Sequence, residues 1–289
     1  LVGSELCIRD RATALEGLDD ENFGLDAALS QGQIAREERA GRTLEVVTTV
    51  IKTHGLVGGL SQLAKMGLKG TRALTKAEYA AHYIIEGTDE VEAKTKLKRL
   101  RRIVSEFGVE MANTVPTVVR GMPFAPLFNT LGPSGERWVP LHGVLSHAVT
   151  PTFHAALTNF FASRKADMER LGIWVGTMFT SVGSSGFLYE IALYWPDCRT
   201  IYHEREIDPA YLANLPSYEA NPEARAYIDK LKSDLILLYV EHDASFFQIG
   251  RAYPFTGRLN PQAQALLASV KACLDEKSAM NPGVLGLGR

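Results

Sequence analysis

Residues 173–197 read IWVGTMFTSVGSSGFLYEIALYWPD. Two runs rich in β-branched and aromatic residues, 173–183 and 186–197, flank a Ser/Gly turn, which predicts two strands. Upstream, RWVPLHGVLS at 137–146 predicts another strand. Between it and the pair, PTFHAALTNFFASRKADMERLG at 151–172 predicts one helix, with Pro151 in its first turn. Further back, YAAHYIIEG at 79–87 predicts a strand, and Thr88 or Asp89 caps the helix that follows. That helix, EVEAKTKLKRLRRIVSEFG, sets Val91, Leu97, Leu100, Val104 and Phe107 roughly on one stripe and ends at Gly108. The order β-α-β-α-β-β predicts an α+β fold, a ferredoxin-like antiparallel sheet with helices on one face.

Composition sets the bounds. Of 289 residues, 46% are hydrophobic and 22% charged, enough apolar material for a large core. A formal net charge of −2 gives no electrostatic reason to expect nucleic acid. Lys94, Lys96, Lys98, Arg99, Arg101 and Arg102 make a basic helix face, which suits either solvent or an acidic partner. Cys7, Cys198 and Cys273 are odd in number and far apart, so neither a disulfide framework nor a zinc site is expected. A reducing, cytoplasmic setting is the expectation. No stretch reaches the roughly 18 apolar residues of a membrane span.

The first eleven residues, LVGSELCIRDR, read as adapter-derived sequence joined to a gene whose upstream part is missing. Residues 12–75 read as a helical segment. Within it, Gly58 and Gly59 could hinge a lid over a substrate entrance. Residues 76–240 hold the strands and helices described above, and 241–289 form a separate closing segment. There the run 246–249 predicts a strand feeding Gly250-Arg251, and Pro261 opens a helix over 261–274. Asn281-Pro282-Gly283 then turns the chain, with Gly283 free to take a positive φ or admit a flat group against bare backbone.

Familiar catalytic signatures are missing from the sequence. It has no GxSxG elbow, no GxxxxGK[ST] loop, and no GxGxxG after a strand. His142 and His147 are five residues apart but on a strand and its loop, and His242 and Asp243 merely adjoin Glu241, so no metal set is predicted.

The closing segment, with Leu274-Asp275 and Asn281-Pro282-Gly283, resembles the C-terminal signature of FAD-linked oxidases, the flavoprotein family of vanillyl-alcohol oxidase and p-cresol methylhydroxylase. Glu276 stands where that signature has proline. ANTVPTVVRG at 112–121 is similar to the family's QNxPTxR element, and 137–183 resembles the strand, helix and strand of its cap domain. The resemblance spans roughly 76–289. It implies a cap (substrate) domain at 76–240 and, at 241–289, a segment returning to an FAD domain largely missing from this chain. It also implies an oxidation next to an oxygen, of an aromatic alcohol or alkylphenol, with hydride transfer to FAD. Oxygen, a cytochrome or a quinone would be the electron acceptor, and a homodimer fits the family's habit.

On that resemblance Arg251 is the cation that holds a substrate oxygen, and Tyr253 or His142 takes the proton. Asn281, Pro282 and Gly283 lie against the cofactor, and Trp138 and Tyr189 line the substrate pocket. Gly250 stands where the aromatic branch has the tyrosine of a Tyr-Arg pair. Phe128 aligns with the position at which some relatives tether the flavin, which implies non-covalent FAD. Two rivals stay open. One is a D-lactate or glycolate type 2-hydroxyacid dehydrogenase with FAD, although its GDGNxH motif is not found. The other is a non-catalytic α+β binding module that docks through the basic helix around 91–102.

Overall fold

The structure is a computed structural model, and it describes residues 4–10, 79–85, 87–111, 130–132, 134–182 and 185–287. The lid segment at 12–75, the element at 112–121 and Phe128 lie outside the described residues. The fold is α+β. Strands β1 (Ser4–Asp10), β2 (Tyr79–Ile85) and β3 (Gly108–Met111) form one sheet in the order β2-β1-β3. Both pairings are antiparallel, with Ser4 opposite Ile85 and Cys7 opposite both His82 and Met111. Strands β4 (Arg137–Ser146), β5 (Trp174–Val182) and β6 (Gly186–Trp195) form a second sheet in the order β4-β6-β5. The strands expected in one sheet are thus divided between two of three strands each.

Helix α1 (Glu90–Val104) starts where the sequence places it. The Asp89 carboxylate accepts from the Glu92 N–H at 2.8 Å, leaving one fewer orphan donor in the first turn. Its inward stripe differs from the expected one. Ala93 is buried and Leu97, Leu100 and Val104 are half-buried, a 3.6-residue repeat, whereas Val91 is 74% exposed and Phe107 is also exposed. Val91 is out of phase with the other four, and Phe107 lies beyond the helix. The basic face is exposed, with Lys94 and Lys96 paired to Glu90 and Glu92 one turn back, pairs worth little in water.

The helix expected over 151–172 is broken into α2 (Thr150–Ala162) and α3 (Lys165–Arg170). At the break the Ser163 hydroxyl donates to the Phe160 carbonyl at 2.9 Å, a local bond that competes with helix continuation. Helices α4 (Ile201–Glu206), α5 (Pro209–Leu212) and α6 (Pro222–Glu241) follow β6. Helix α7 (Pro261–Leu274) has the expected bounds. Asn260 caps it by accepting from the Ala263 N–H at 2.8 Å, and Pro261 occupies the first turn. No described helix is long and apolar enough to cross a membrane.

The run 246–249 is not a strand. Ser245 makes a single antiparallel bridge with Val144, with both N–H···O distances at 2.8 Å. Beyond it, Phe246 stacks on Tyr253 and Phe247 packs edge-on to His142. Bulky aromatic residues there satisfy packing around a bend rather than a ladder.

The chain divides into two compact units, each discontinuous in sequence. The first comprises 1–139, 164–177 and 193–225, and the second 140–163, 178–192 and 226–289. In the first, Tyr194 of β6 is flanked by Trp174 of β5 at 3.8 Å and Trp138 of β4 at 5.7 Å, rings nearly parallel, a cross-strand aromatic ladder. In the second, Phe153 of α2 and Tyr239 of α6 are fully buried and stacked at 4.7 Å. The backbone of β4 comes so close to α6 that a Cβ at Gly143 would lie 2.7 Å from the Tyr239 ring.

Candidate functional site

The second unit gathers the polar residues best suited to chemistry. His142, on β4, and Glu190, on β6, are both buried, with His142 Nε2 4.0 Å from a Glu190 carboxylate oxygen. Tyr253 joins them from the closing segment. Its hydroxyl oxygen accepts the backbone N–H of His142 at 2.9 Å. The sequence candidates His142 and Tyr253 are therefore brought together across 111 positions of chain. Glu190 was missed by sequence reasoning, yet it had a signal: it is the lone acid within the apolar run FLYEIALYW. An ionisable group inside a buried strand needs a partner.

Burial sets the charge states. It pushes the His142 imidazole below its ordinary value and the Glu190 carboxyl above its own. Burial also raises the Tyr253 phenol, and the Glu190 charge adds to this, while the bond from the His142 N–H opposes it. Tyr239 is pushed well up by burial first, then by Tyr189, Tyr253 and Glu190. At neutral pH both tyrosines are therefore uncharged donors rather than bases, and the imidazole is neutral. His142 Nδ1 is buried with no hydrogen-bond partner. A bare lone pair there costs less than an unpaired N–H, so the ring proton belongs on Nε2, facing Glu190.

Arg251 is exposed, and its Nη2 donates to the Pro282 carbonyl at 2.6 Å. Two more bonds bind the same stretches: the Leu285 N–H donates to the Gly250 carbonyl at 2.8 Å, and the Thr256 hydroxyl to the Leu285 carbonyl at 2.7 Å. Gly283 takes φ 78°, as the turn requires, and Asn281 also has positive φ at 45°. Asp275 braces the approach to this bend. It accepts from the Ala279 N–H at 2.8 Å, the Met280 N–H at 3.0 Å and the Lys271 ammonium. The Lys271 bond, partly offset by burial and aided by those N–H groups, holds its carboxyl below the usual carboxylate range. Arg251 thus serves as a clamp on the Asn281–Gly283 bend through one of its five donors.

Trp138 belongs to the aromatic ladder of the first unit. Tyr189, in the second, is buried, with its hydroxyl 2.7 Å from His154 Nδ1.

The first unit has a charged cluster of its own. Asp197, fully buried, accepts from Arg137 Nη1 (2.9 Å), Arg225 Nε and Nη2 (3.0 and 2.9 Å), Trp195 Nε1 (3.2 Å), and the N–H groups of Cys198 and Asn221 (both 2.9 Å). Burial alone would raise its carboxyl, but the Arg225 hydrogen bond and those from Asn221, Trp195 and Cys198 together hold it far below the usual range. Every lone-pair direction is occupied, so this carboxylate is a structural hub with nothing left for a ligand. Among the described residues no group of three or more His, Cys, Asp or Glu could hold a metal ion.

No family model matches the chain, and no curated protein matches it. Among solved structures it is similar to an alkyldihydroxyacetonephosphate synthase at 11% identity and a TM-score of 0.49, over 95% of this chain and 43% of the synthase. The chain spans less than half of that protein's length.

Proposed function

We propose that this chain is the substrate-binding part and closing segment of an FAD-linked oxidoreductase of the vanillyl-alcohol oxidase type, acting on an aromatic alcohol or alkylphenol. The observation that carries the reading is the bend at Asn281–Gly283: a left-handed glycine fastened by Arg251, at the positions where the sequence resembles the family's closing motif. Helix α7 adds support. Leu266, Val270 and Leu274 recur at helical spacing, and Leu266 and Leu274 are 68% and 72% exposed, an apolar stripe suited to further protein.

The residues fit a flavin in part. A bare-backbone bend and the orphaned His142 Nδ1 suit a planar group rich in hydrogen-bonding atoms. Neither the sequence nor the described residues provide a phosphate cradle, so the dinucleotide would be held by protein beyond this chain. When bound, FAD would supply the hydride acceptor. This chain's part is to hold the alcohol in the buried polar cluster of His142, Glu190 and Tyr253, exclude water from it and receive the proton. Dioxygen, a cytochrome or a quinone would reoxidise the protein.

The test is expression of the gene from its complete reading frame, followed by visible spectroscopy. A yellow protein whose flavin absorbance bleaches anaerobically on addition of vanillyl alcohol is the expected result. A colourless protein that takes up no FAD would remove the reading.

Position 250 supplies a further prediction. Among the described residues no heavy atom lies within 4 Å of the place where a Cβ would sit on Gly250, so a larger side chain is tolerated there. Gly250→Tyr restores the Tyr-Arg pair of the aromatic branch. It is expected to leave stability within about 0.5 kcal/mol. Affinity for 4-methylphenol should rise about tenfold, the worth of one hydrogen bond to a phenolate. Thermal melts and equilibrium binding on the flavin-loaded protein measure both. Unchanged phenol affinity in a stable variant would argue against a phenolic substrate.

A further inference from the structure

Four features of the described residues stand apart from the rest of the surface and core: the Asp197 hub, the exposed basic face of α1, the apolar stripe of α7, and the pair His142–Glu190. The hub is saturated with donors, and nothing in the structure specifies what covers either helix face. The pair alone combines burial, unspent hydrogen-bonding capacity and a defined gap.

We propose that His142 Nε2 and the Glu190 carboxylate together form a binding site for one hydroxyl oxygen of a neutral alcohol, with Glu190 as the acceptor of its proton. This deepens the oxidoreductase reading and rests on it for the reaction, but the site itself belongs to this chain alone.

The gap comes first. At 4.0 Å the two atoms are too far apart to bond each other, yet both are buried. An oxygen about 2.8 Å from each would bridge that distance. The ring proton on Nε2 points to such an oxygen, because Nδ1 has no partner and is the better place for the lone pair. An oxygen that accepts from Nε2–H must give its own proton to the carboxylate, and an alcohol does both. An ether accepts but cannot donate.

Among the described residues none supplies a competing charge at hydrogen-bonding distance. Tyr253 uses its hydroxyl oxygen to accept the His142 backbone N–H. Tyr239 donates to the Tyr189 carbonyl at 2.8 Å. Burial keeps both phenols protonated. Arg258 donates to the Ala244 carbonyl and lies over the Phe246 ring. Phe247 closes on the imidazole edge-on at 5.1 Å. The same burial raises the Glu190 carboxyl towards neutrality, the direction that makes a carboxylate a more effective base. In the oxidation, bound FAD would supply the acceptor for the hydride of the alcohol's C–H bond, and Glu190 would take the proton of its O–H bond as the carbon–oxygen bond becomes a carbonyl. Atoms and charge balance with no other co-reactant.

The test uses the full chain without flavin, so its outcome is independent of the flavin spectrum above. The imidazole 1H–13C resonance of His142, assigned with His142→Gln, is followed by NMR during titration with benzyl alcohol and, separately, benzyl methyl ether. Expected is a saturable shift with the alcohol and affinity about tenfold weaker for the ether, the fold-change of one lost charge-assisted hydrogen bond. Alcohol affinity should fall as acid protonates Glu190, and Glu190→Gln should both weaken it and flatten its pH dependence. Equal binding of ether and alcohol, a His142 signal unmoved by either, or unchanged affinity in Glu190→Gln would each overturn the proposal. If Glu190→Gln fails to fold, the alcohol–ether comparison and the pH dependence of the unaltered chain still decide it. A colourless protein from the complete reading frame together with a positive titration here would sink the flavin reading and leave the hydroxyl site standing.

Discussion

Asp197→Ala is expected to cost about 3–5 kcal/mol of unfolding free energy, the range for breaking a buried ion pair by removing one partner. The carboxylate is fully buried and takes six hydrogen bonds from five residues. Alanine would leave the Arg225 fork, Arg137 and the Trp195 indole without an acceptor, together with the N–H groups of Cys198 and Asn221. Arg137 and Arg225 keep 22% and 43% of their side chains exposed, so water rescues part of the loss. The unrescued part is the pair of backbone N–H groups and the indole. Chemical denaturation of Asp197→Ala against the unaltered protein measures this, and a loss below about 1 kcal/mol would show that the hub contributes little.

The same carboxylate predicts an acid sensitivity with a definite sign. Its folded pKa is depressed, so the unfolded chain takes up the proton first as pH falls. The stabilisation is complete above the ordinary carboxylate value of about 3.9 and drains away as pH drops below it towards the depressed folded value. In Asp197→Ala that share of the acid-limb slope should vanish.

Legibility in the sequence followed the range of the interactions. Strands β4, β5 and β6, the Asp89 cap and helix α7 are local statements, and periodicity or a capping residue suffices to read them. The bend at Asn281–Gly283 was legible for the same reason, because a glycine after proline announces a special backbone angle. The run 246–249 misled, since aromatic richness marks ring-on-ring packing as well as strand, and here Phe246 packs on Tyr253 and Phe247, half exposed, on His142. Asp197 and its arginines are 60 and 28 positions apart, so no window contains them. Glu190 was readable in kind but not in role. A lone acid in an apolar strand signals a partner, but only the folded register of β4 beside β6 identifies it as His142.

Phe153→Ala should cost about as much, 3–5 kcal/mol, by a different mechanism. Phe153 has no exposed surface, stacks on Tyr239 at 4.7 Å and meets Tyr189 and His242 edge-on at 5.1 and 5.5 Å. Removing the ring opens a cavity between α2 and α6 that neighbours this rigid cannot close. Phe153→Leu, which refills much of the volume, should recover more than half of the loss. The two variants also separate packing from chemistry. Tyr239 donates to the carbonyl of Tyr189, the residue before Glu190, so a loosened Tyr239 ring should disturb the position of the acid. Alcohol binding at His142 should therefore weaken in Phe153→Ala under conditions where it is still folded, and return in Phe153→Leu. Full stability in Phe153→Ala would mean that the core collapses to fill the space, and unaltered binding in a destabilised variant would mean that β6 holds Glu190 without help from α2.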